Sequence, residues 1–174
     1  MRWVALLRAV NLGARNKVPM AQLRTLLEEV GYGDVRTYIA SGNILLDGPA
    51  GQAALATTLE RIVADSFGVS TTVILRKPRA LAATVAAHPF DDRSETHVAF
   101  LAKRPTKAAA ARLSAVDGGG DRSVLDGAHV YLQLTRGVQG SPLSAARLES
   151  LLGVPATLRN WRTVVALAEL AAEA

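Results

Sequence analysis

Phe67-Gly68-Val69-Ser70-Thr71-Thr72 returns as Leu152-Gly153-Val154-Pro155-Ala156-Thr157, each copy following a run with helical spacing. Further upstream, Trp3-Val4-Ala5-Leu6-Leu7 returns as His97-Val98-Ala99-Phe100-Leu101. Two matched pairs in the same order are the mark of an internal duplication, and a repeat governs how every other segment is read. Working outward from the first pair, Gln52–Ser66 carries Leu55, Leu59, Ile62 and Val63 on one helical face, and Gly68 ends that helix. From the second pair, Trp3, Leu7 and Ala9 alternate with Val4, Leu6 and Arg8, so the first strand has two largely apolar faces.

The remaining elements fall into place around these. Pro19 opens a helix with Leu23, Leu26, Leu27 and Val30 at helical spacing, with Val18 at its cap position. Val35–Ala40 and Ile44–Leu46 read as strands, and Gly42-Asn43 between them predicts a tight hairpin. Thr71–Arg76 is a fourth strand and Arg79–His88 a further helix. The second half repeats the order with strands at Thr96–Ala102, Ser123–Leu125, His129–Leu134 and Ala156–Arg159, and helices at Thr106–Val116, Ser144–Leu152 and Trp161–Glu173. The predicted fold is α+β, a duplication of two ferredoxin-like βαββαβ units, each with a trailing helix. The expected boundaries are 1–88 for the first unit, 89–95 for a linker and 96–174 for the second, packed as one globular body. Both helices of such a unit cover one face of its sheet. The apolar Val4 and Leu6 predict that the other face is partly covered too, by the other unit.

The chain has 174 residues, is 49% hydrophobic and carries a formal charge of +5, which excludes disorder as its main state. It has no cysteine, so a disulfide framework, a thiolate metal site and a thiol nucleophile are all excluded. Arg8 interrupts the first apolar run before it is long enough for a secretory leader, and no run reaches membrane-spanning length. These features predict a cytoplasmic protein without membrane contact, either monomer or homodimer. Residues 1–87 hold a net +4 of the charge, and Arg2, Arg8, Arg15, Lys17 and Arg24 all precede the first acid, Glu28. A locally positive surface attracts phosphates and nucleic acid.

Three segments together resemble a known family: Leu7–Met20 leading into Leu23-Arg24, then Val35-Arg36-Thr37-Tyr38-Ile39-Ala40-Ser41-Gly42-Asn43, then Thr157-Leu158-Arg159-Asn160-Trp161-Arg162-Thr163-Val164. The set is similar to the bacterial domain-of-unknown-function family 1697, and the likeness runs end to end. It implies an α+β fold with an internal duplication, and no activity. The family usually has Gly where Ala9 stands, a departure that bears on how closely the backbone approaches there.

The loop Asn11–Met20 is the first candidate site. It joins a strand to a helix N-terminus and offers Asn11, Arg15, Asn16 and Lys17 around Gly13. The first helical turn holds no acid, and a bound phosphate or carboxylate suits such an end. A structural turn with Asn side chains bonding the loop backbone explains the same residues. The spacing matches neither a P-loop nor a dinucleotide fingerprint, so no cofactor is indicated. The second candidate is Arg159, Asn160 and Arg162, with Asn160 a natural N-cap, Trp161 packed on the core and Thr163 within the motif. Two arginines at a helix N-terminus oppose its dipole and call for a nearby anion. Ser41-Gly42-Asn43 lacks the strand-to-helix context of a nucleophile elbow and reads as a structural turn. His88, His97 and His129 show no metal spacing, and Ile44-Leu45-Leu46-Asp47 has no aromatic with which to stack RNA bases.

The leading expectation is a non-enzymatic protein that holds a phosphate-bearing ligand, nucleotide or nucleic acid, in a basic cleft between the units, lined by Arg8, Asn11, Arg15, Lys17 and Arg159. A protein-interaction module is the alternative. An enzyme acting on a phosphorylated or carboxylate substrate ranks below both, because no base with a suitable environment is visible.

Overall fold

Alternation divides the first strand into Trp3, Ala5 and Leu7 on one face and Val4 and Leu6 on the other, and all five are buried. The computed structural model describes residues 1–173. Element order is β1 (Arg2–Leu7), α1 (Met20–Glu29), β2 (Gly33–Tyr38), β3 (Asn43–Asp47), α2 (Gln52–Phe67), β4 (Val73–Arg76), α3 (Pro78–Ala86), β5 (Thr96–Leu101), α4 (Lys107–Ser114), β6 (Arg122–Asp126), β7 (His129–Gln133), α5 (Gly137–Gly140), α6 (Ala145–Leu152), β8 (Ala156–Asn160) and α7 (Trp161–Ala172). The strands form two four-stranded sheets, ordered β2-β3-β1-β4 and β6-β7-β5-β8, with every neighbouring pair antiparallel. Both are the ferredoxin-like arrangement, in which each crossover helix skips over a central strand. The duplication is therefore shown by two sheets of one strand order.

In the first unit Trp3, Ala5, Leu7, Ile44 and Leu46 meet Leu23 and Leu27 of α1 and Leu55, Leu59 and Val63 of α2. In the second, Ala99, Leu101, Val130 and Leu132 meet Leu113 of α4 and Leu148 and Leu152 of α6. Some polar details are repeated as well. Glu60 of α2 accepts the Val73 N–H at 2.8 Å, and Glu149 of α6 accepts the Ala156 N–H at 2.8 Å, so each last strand is held by a carboxylate from the helix before it. Val4 lies opposite Arg76 as Val98 lies opposite Arg159. Burial pushes both of these guanidinium groups down to about 10.

The sheet faces opposite α1 and α2 in one unit, and opposite α4 and α6 in the other, are buried too, at Val4, Leu6, Leu45 and Ile74 and at Val98, Phe100 and Tyr131. His129, Tyr131 and Gln133 alternate with Val130 and Leu132 along β7, yet this more polar face is not wet at its centre, where Tyr131 is buried. Tyr131 donates its hydroxyl to the Thr84 carbonyl at 2.8 Å, and burial pushes its pKa up to about 12. A bonded hydroxyl is what allows a polar side chain into that position.

Two local readings are corrected. Pro19 is the N-cap residue of α1 and Val18 lies outside it, because the Val18 N–H is already bonded to Asn11 Oδ1 at 2.8 Å. The tight turn at Gly42-Asn43 is a four-residue connection, 39–42, since Asn43 pairs with both Leu6 and Tyr38 as the first residue of β3. The short helix α5 lies between the predicted strand His129–Leu134 and the predicted helix Ser144–Leu152, where four residues are too few to display a helical period. The chain divides into one unit of Met1–Ala83 with the chain from Leu167 onward, and a second of Thr84–Ala166. The segment 89–95, expected as a linker, thus counts with the second unit, where Phe90 is buried. Ala174, the end of the expected second unit, lies outside the described residues.

Candidate functional site

β1 ends at Leu7, and the chain turns sharply before α1 begins. Four residues between 9 and 16 hold left-handed backbone: Ala9 (φ 56°), Asn11 (φ 52°), Gly13 (φ 56°) and Asn16 (φ 51°). Asparagine tolerates this region better than most residues and glycine enters it freely, whereas alanine is strained there. The left-handed angle at Ala9 gives a physical reason for the glycine usual in the resembling family. Concentrated backbone strain is a feature of functional loops, provided the surroundings enforce it.

The surroundings do enforce it. Asn11 donates through Nδ2 to the Val18 carbonyl at 2.9 Å and the Ala40 carbonyl at 2.6 Å, while its Oδ1 accepts the Val18 N–H. Asn16 donates through Nδ2 to the Ala9 carbonyl at 2.8 Å, and its own carbonyl accepts the Asn11 N–H. Leu12 and Arg15 exchange two backbone hydrogen bonds across the tip. The Asn11 bond to Ala40 joins the first sequence motif to the second, whose Gly42 sits against Val10 and Leu7. Asn43 is fully buried and donates to the Tyr38 carbonyl and to Ser41 Oγ, so Ser41 lies in a braced strand connection.

With both asparagine side chains engaged inward, the outer surface of the loop belongs to other groups. Gly13, Ala14, Arg15, Asn16 and Lys17 are exposed. Among the described residues, neither Arg15 nor Lys17 takes part in an ion pair, and the N–H groups of Gly13, Ala14, Asn16 and Lys17 have no intramolecular acceptor. The first turn of α1 carries no acid and no side-chain cap. The result is a rigid surface with two cations, exposed amide donors and no anion of its own. Arg8 lies at the base of the loop, half-buried, with its N–H bonded to the Thr72 carbonyl and its carbonyl accepting from Thr71 Oγ1.

A family model described as "Protein of unknown function (DUF1697)" matches residues 1–131, which takes in this loop and the motif ending at Asn43. The chain belongs to this family. No curated protein matches it. Among solved structures it is similar to the conserved bacterial protein SP0830 from Streptococcus pneumoniae, with a TM-score of 0.73 and 23% identity over 98% of each chain. That likeness concerns the fold alone.

The third motif of this DUF1697 protein lies beyond the matched residues, in the second unit. Arg159 is buried, and its Nη1 donates to Thr157 Oγ1 and to the Leu158 carbonyl, both at 2.8 Å. Asn160 Oδ1 accepts the Thr163 N–H at 2.8 Å, which is an N-cap bond for α7. Asn160→Ala is therefore expected to lower stability by roughly 0.5–2 kcal/mol; an unchanged denaturation midpoint would remove the capping role. Arg162 is exposed and Thr163 is buried. Trp161 is half-buried, edge-on to His88 at a centroid distance of 4.4 Å, with the Arg93 guanidinium 5.9 Å from its ring centre.

His88, one of the three histidines without metal spacing, packs at the centre of this cluster. Its Nε2 lies 3.2 Å from Thr96 Oγ1 and its Nδ1 contacts the Phe90 backbone, while burial holds its pKa below the usual imidazole value. Partners on β5, on α7 and in the adjoining loop leave no spacing signal for a sequence reading to use. Among the described residues no group of three His, Asp or Glu side chains is arranged to hold a metal ion. No helix there is long and apolar enough to cross a membrane.

Proposed function

We propose that this DUF1697 protein is a non-enzymatic cytoplasmic binding protein whose 11–20 loop holds the phosphate of a nucleotide or nucleic acid. The observation that carries this reading is the division of labour in the loop. Asn11 and Asn16 fix its shape from inside, while Arg15, Lys17 and the free amides of Gly13, Ala14, Asn16 and Lys17 face outward without an acid among them. Oriented N–H donors beside guanidinium and ammonium groups form the usual anion-binding combination.

The test is titration of the full chain with a fluorescent single-stranded oligonucleotide and with nucleotides, over a range of salt concentrations. Each phosphate contact contributes a slope of about −0.7 in log K against log salt for single strands. The Arg15→Ala/Lys17→Ala variant is expected to weaken binding about tenfold or more and to flatten that slope by about 1.4. Binding that ignores both salt and the double substitution would refute the proposal. A second reading, a protein-interaction surface, draws support from Leu12 and Ile39, which are 57% and 54% exposed on adjoining loops. An apolar partner surface predicts association that is indifferent to salt.

A further inference from the structure

One end strand of each sheet is β2 or β6, and the two occupy equivalent positions in the duplicated units. The edges are not equivalent. β2 is interrupted by a register shift between Gly33 and Arg36, with Asp34 in left-handed backbone at φ 40°. A bulge of this kind blunts an edge against further pairing. β6 runs without a shift, pairing Arg122 with Gln133 through Asp126 with His129.

The hairpin geometry fixes which β6 groups remain open. Only Gly127 and Ala128 separate β6 from β7, and Gly127 has φ 56°, as a two-residue turn with Gly first requires. The flanking pair Asp126–His129 is then a hydrogen-bonded pair, and by alternation so are Val124–Tyr131 and Arg122–Gln133. Ser123 and Leu125 direct their N–H and C=O groups to the free edge. The side chains on the other register read Arg122, Val124 and Asp126, all exposed, with Val124 at 38%.

That pattern is self-complementary. We propose that β6 pairs antiparallel with β6 of a second copy of this chain about a two-fold axis at Val124, joining two four-stranded sheets into one. Ser123 of each copy then lies opposite Leu125 of the other, which gives four interchain backbone hydrogen bonds. Val124 meets its own equivalent, and Arg122 lies opposite Asp126 of the second copy twice over. These are non-hydrogen-bonded pairs, in which side chains are closest and opposite charges attract. The Arg122 guanidinium lies 4.9 Å from the Phe90 ring centre and Asp126 lies 3.7 Å from His129 Nε2, so both charges are held near the edge. A symmetric patch contacting itself is the commonest way to form a homodimer. One short strand pair makes a small interface, so the dimer is weak and concentration-dependent.

Sedimentation velocity on the full chain from about 10 µM to about 1 mM spans the affinities expected of such an interface. The expected result is a reversible shift from monomer to dimer. R122E and D126K each place like charges opposite one another at both pairs, and each is expected to weaken association about tenfold. An equimolar mixture of the two variants restores opposite charges at both pairs and is expected to recover the unmodified strength as a heterodimer. In the unmodified chain, the amides of Ser123 and Leu125 are expected to exchange more slowly with deuterium at high concentration. A monomer throughout the range overturns the proposal, as does exchange at Ser123 and Leu125 that ignores concentration. So does a mixture of the two variants that associates no better than either alone.

Discussion

Gly42→Ala is expected to destabilise the protein by roughly 2–5 kcal/mol, read as a lowered midpoint in urea or on heating. Two independent causes add. Gly42 has φ +78°, where an L side chain is strained. A Cβ at this position would lie 2.6 Å from Val10 Cγ2 and 2.9 Å from Leu7 Cβ, and both neighbours are buried. The Gly42 carbonyl also accepts the Leu7 N–H at 2.8 Å, so a shift that relieved the overlap would disturb the end of β1. Gly13 supplies the control. It has a similar left-handed backbone with nothing within 4 Å of an added Cβ, and Gly13→Ala is expected to cost about 1–2 kcal/mol. Equal losses at the two positions would show that backbone conformation alone matters and that the packing argument fails.

Asn11→Ala is expected to cost roughly 2–3 kcal/mol and to loosen the proposed binding surface at the same time. The substitution removes three hydrogen bonds, each with a net value of about 0.5–1.5 kcal/mol, and leaves the buried Val18 N–H without its acceptor. It also puts alanine at φ 52°, where asparagine is better tolerated. Any ligand bound by Arg15 and Lys17 then has to order the loop itself, so affinity falls although neither cation has changed. A variant with normal affinity and a lowered midpoint would confine Asn11 to stability. One with a normal midpoint would contradict the hydrogen-bond account.

Most of the fold was legible because the duplication repeats strong signals. Alternation in Trp3–Leu7 and helical spacing in Leu55, Leu59 and Val63 survive translation into structure almost unchanged. Gly68 and Gly153 close equivalent helices in left-handed backbone, as their positions after α2 and α6 predict. Turn geometry was less legible. Gly42-Asn43 has the composition of a two-residue turn, but Asn43 is drawn into β3, where its side chain is buried against the Tyr38 carbonyl. Within the candidate loop, residue types told which side chains are polar and could not divide them into those that hold the loop and those that face outward. That division depends on carbonyls at Ala40 and Ala9, which are positioned by tertiary structure. The register that sets Arg76 equivalent to Arg159 was hidden for a related reason. The matched peptides Phe67–Thr72 and Leu152–Thr157 align the connections before β4 and β8, whereas strand pairing aligns the arginines with a two-residue offset.

The division of the chain also bears on the order in which it is made. The first unit gathers Met1–Ala83 with the chain from Leu167 onward, and Arg36 Nη1 lies 3.8 Å from Glu173 Oε2. On the ribosome, β1 through β4 emerge together and their sheet can close early, although pairing Leu7 with Val73 joins distant positions and is therefore slow. The residues after Ala166 emerge only once the whole second unit has been synthesised. A nascent chain halted anywhere in the second unit thus holds a first unit still lacking its final segment, and domain-by-domain folding during synthesis is here expected to leave the earliest-made unit to be finished last.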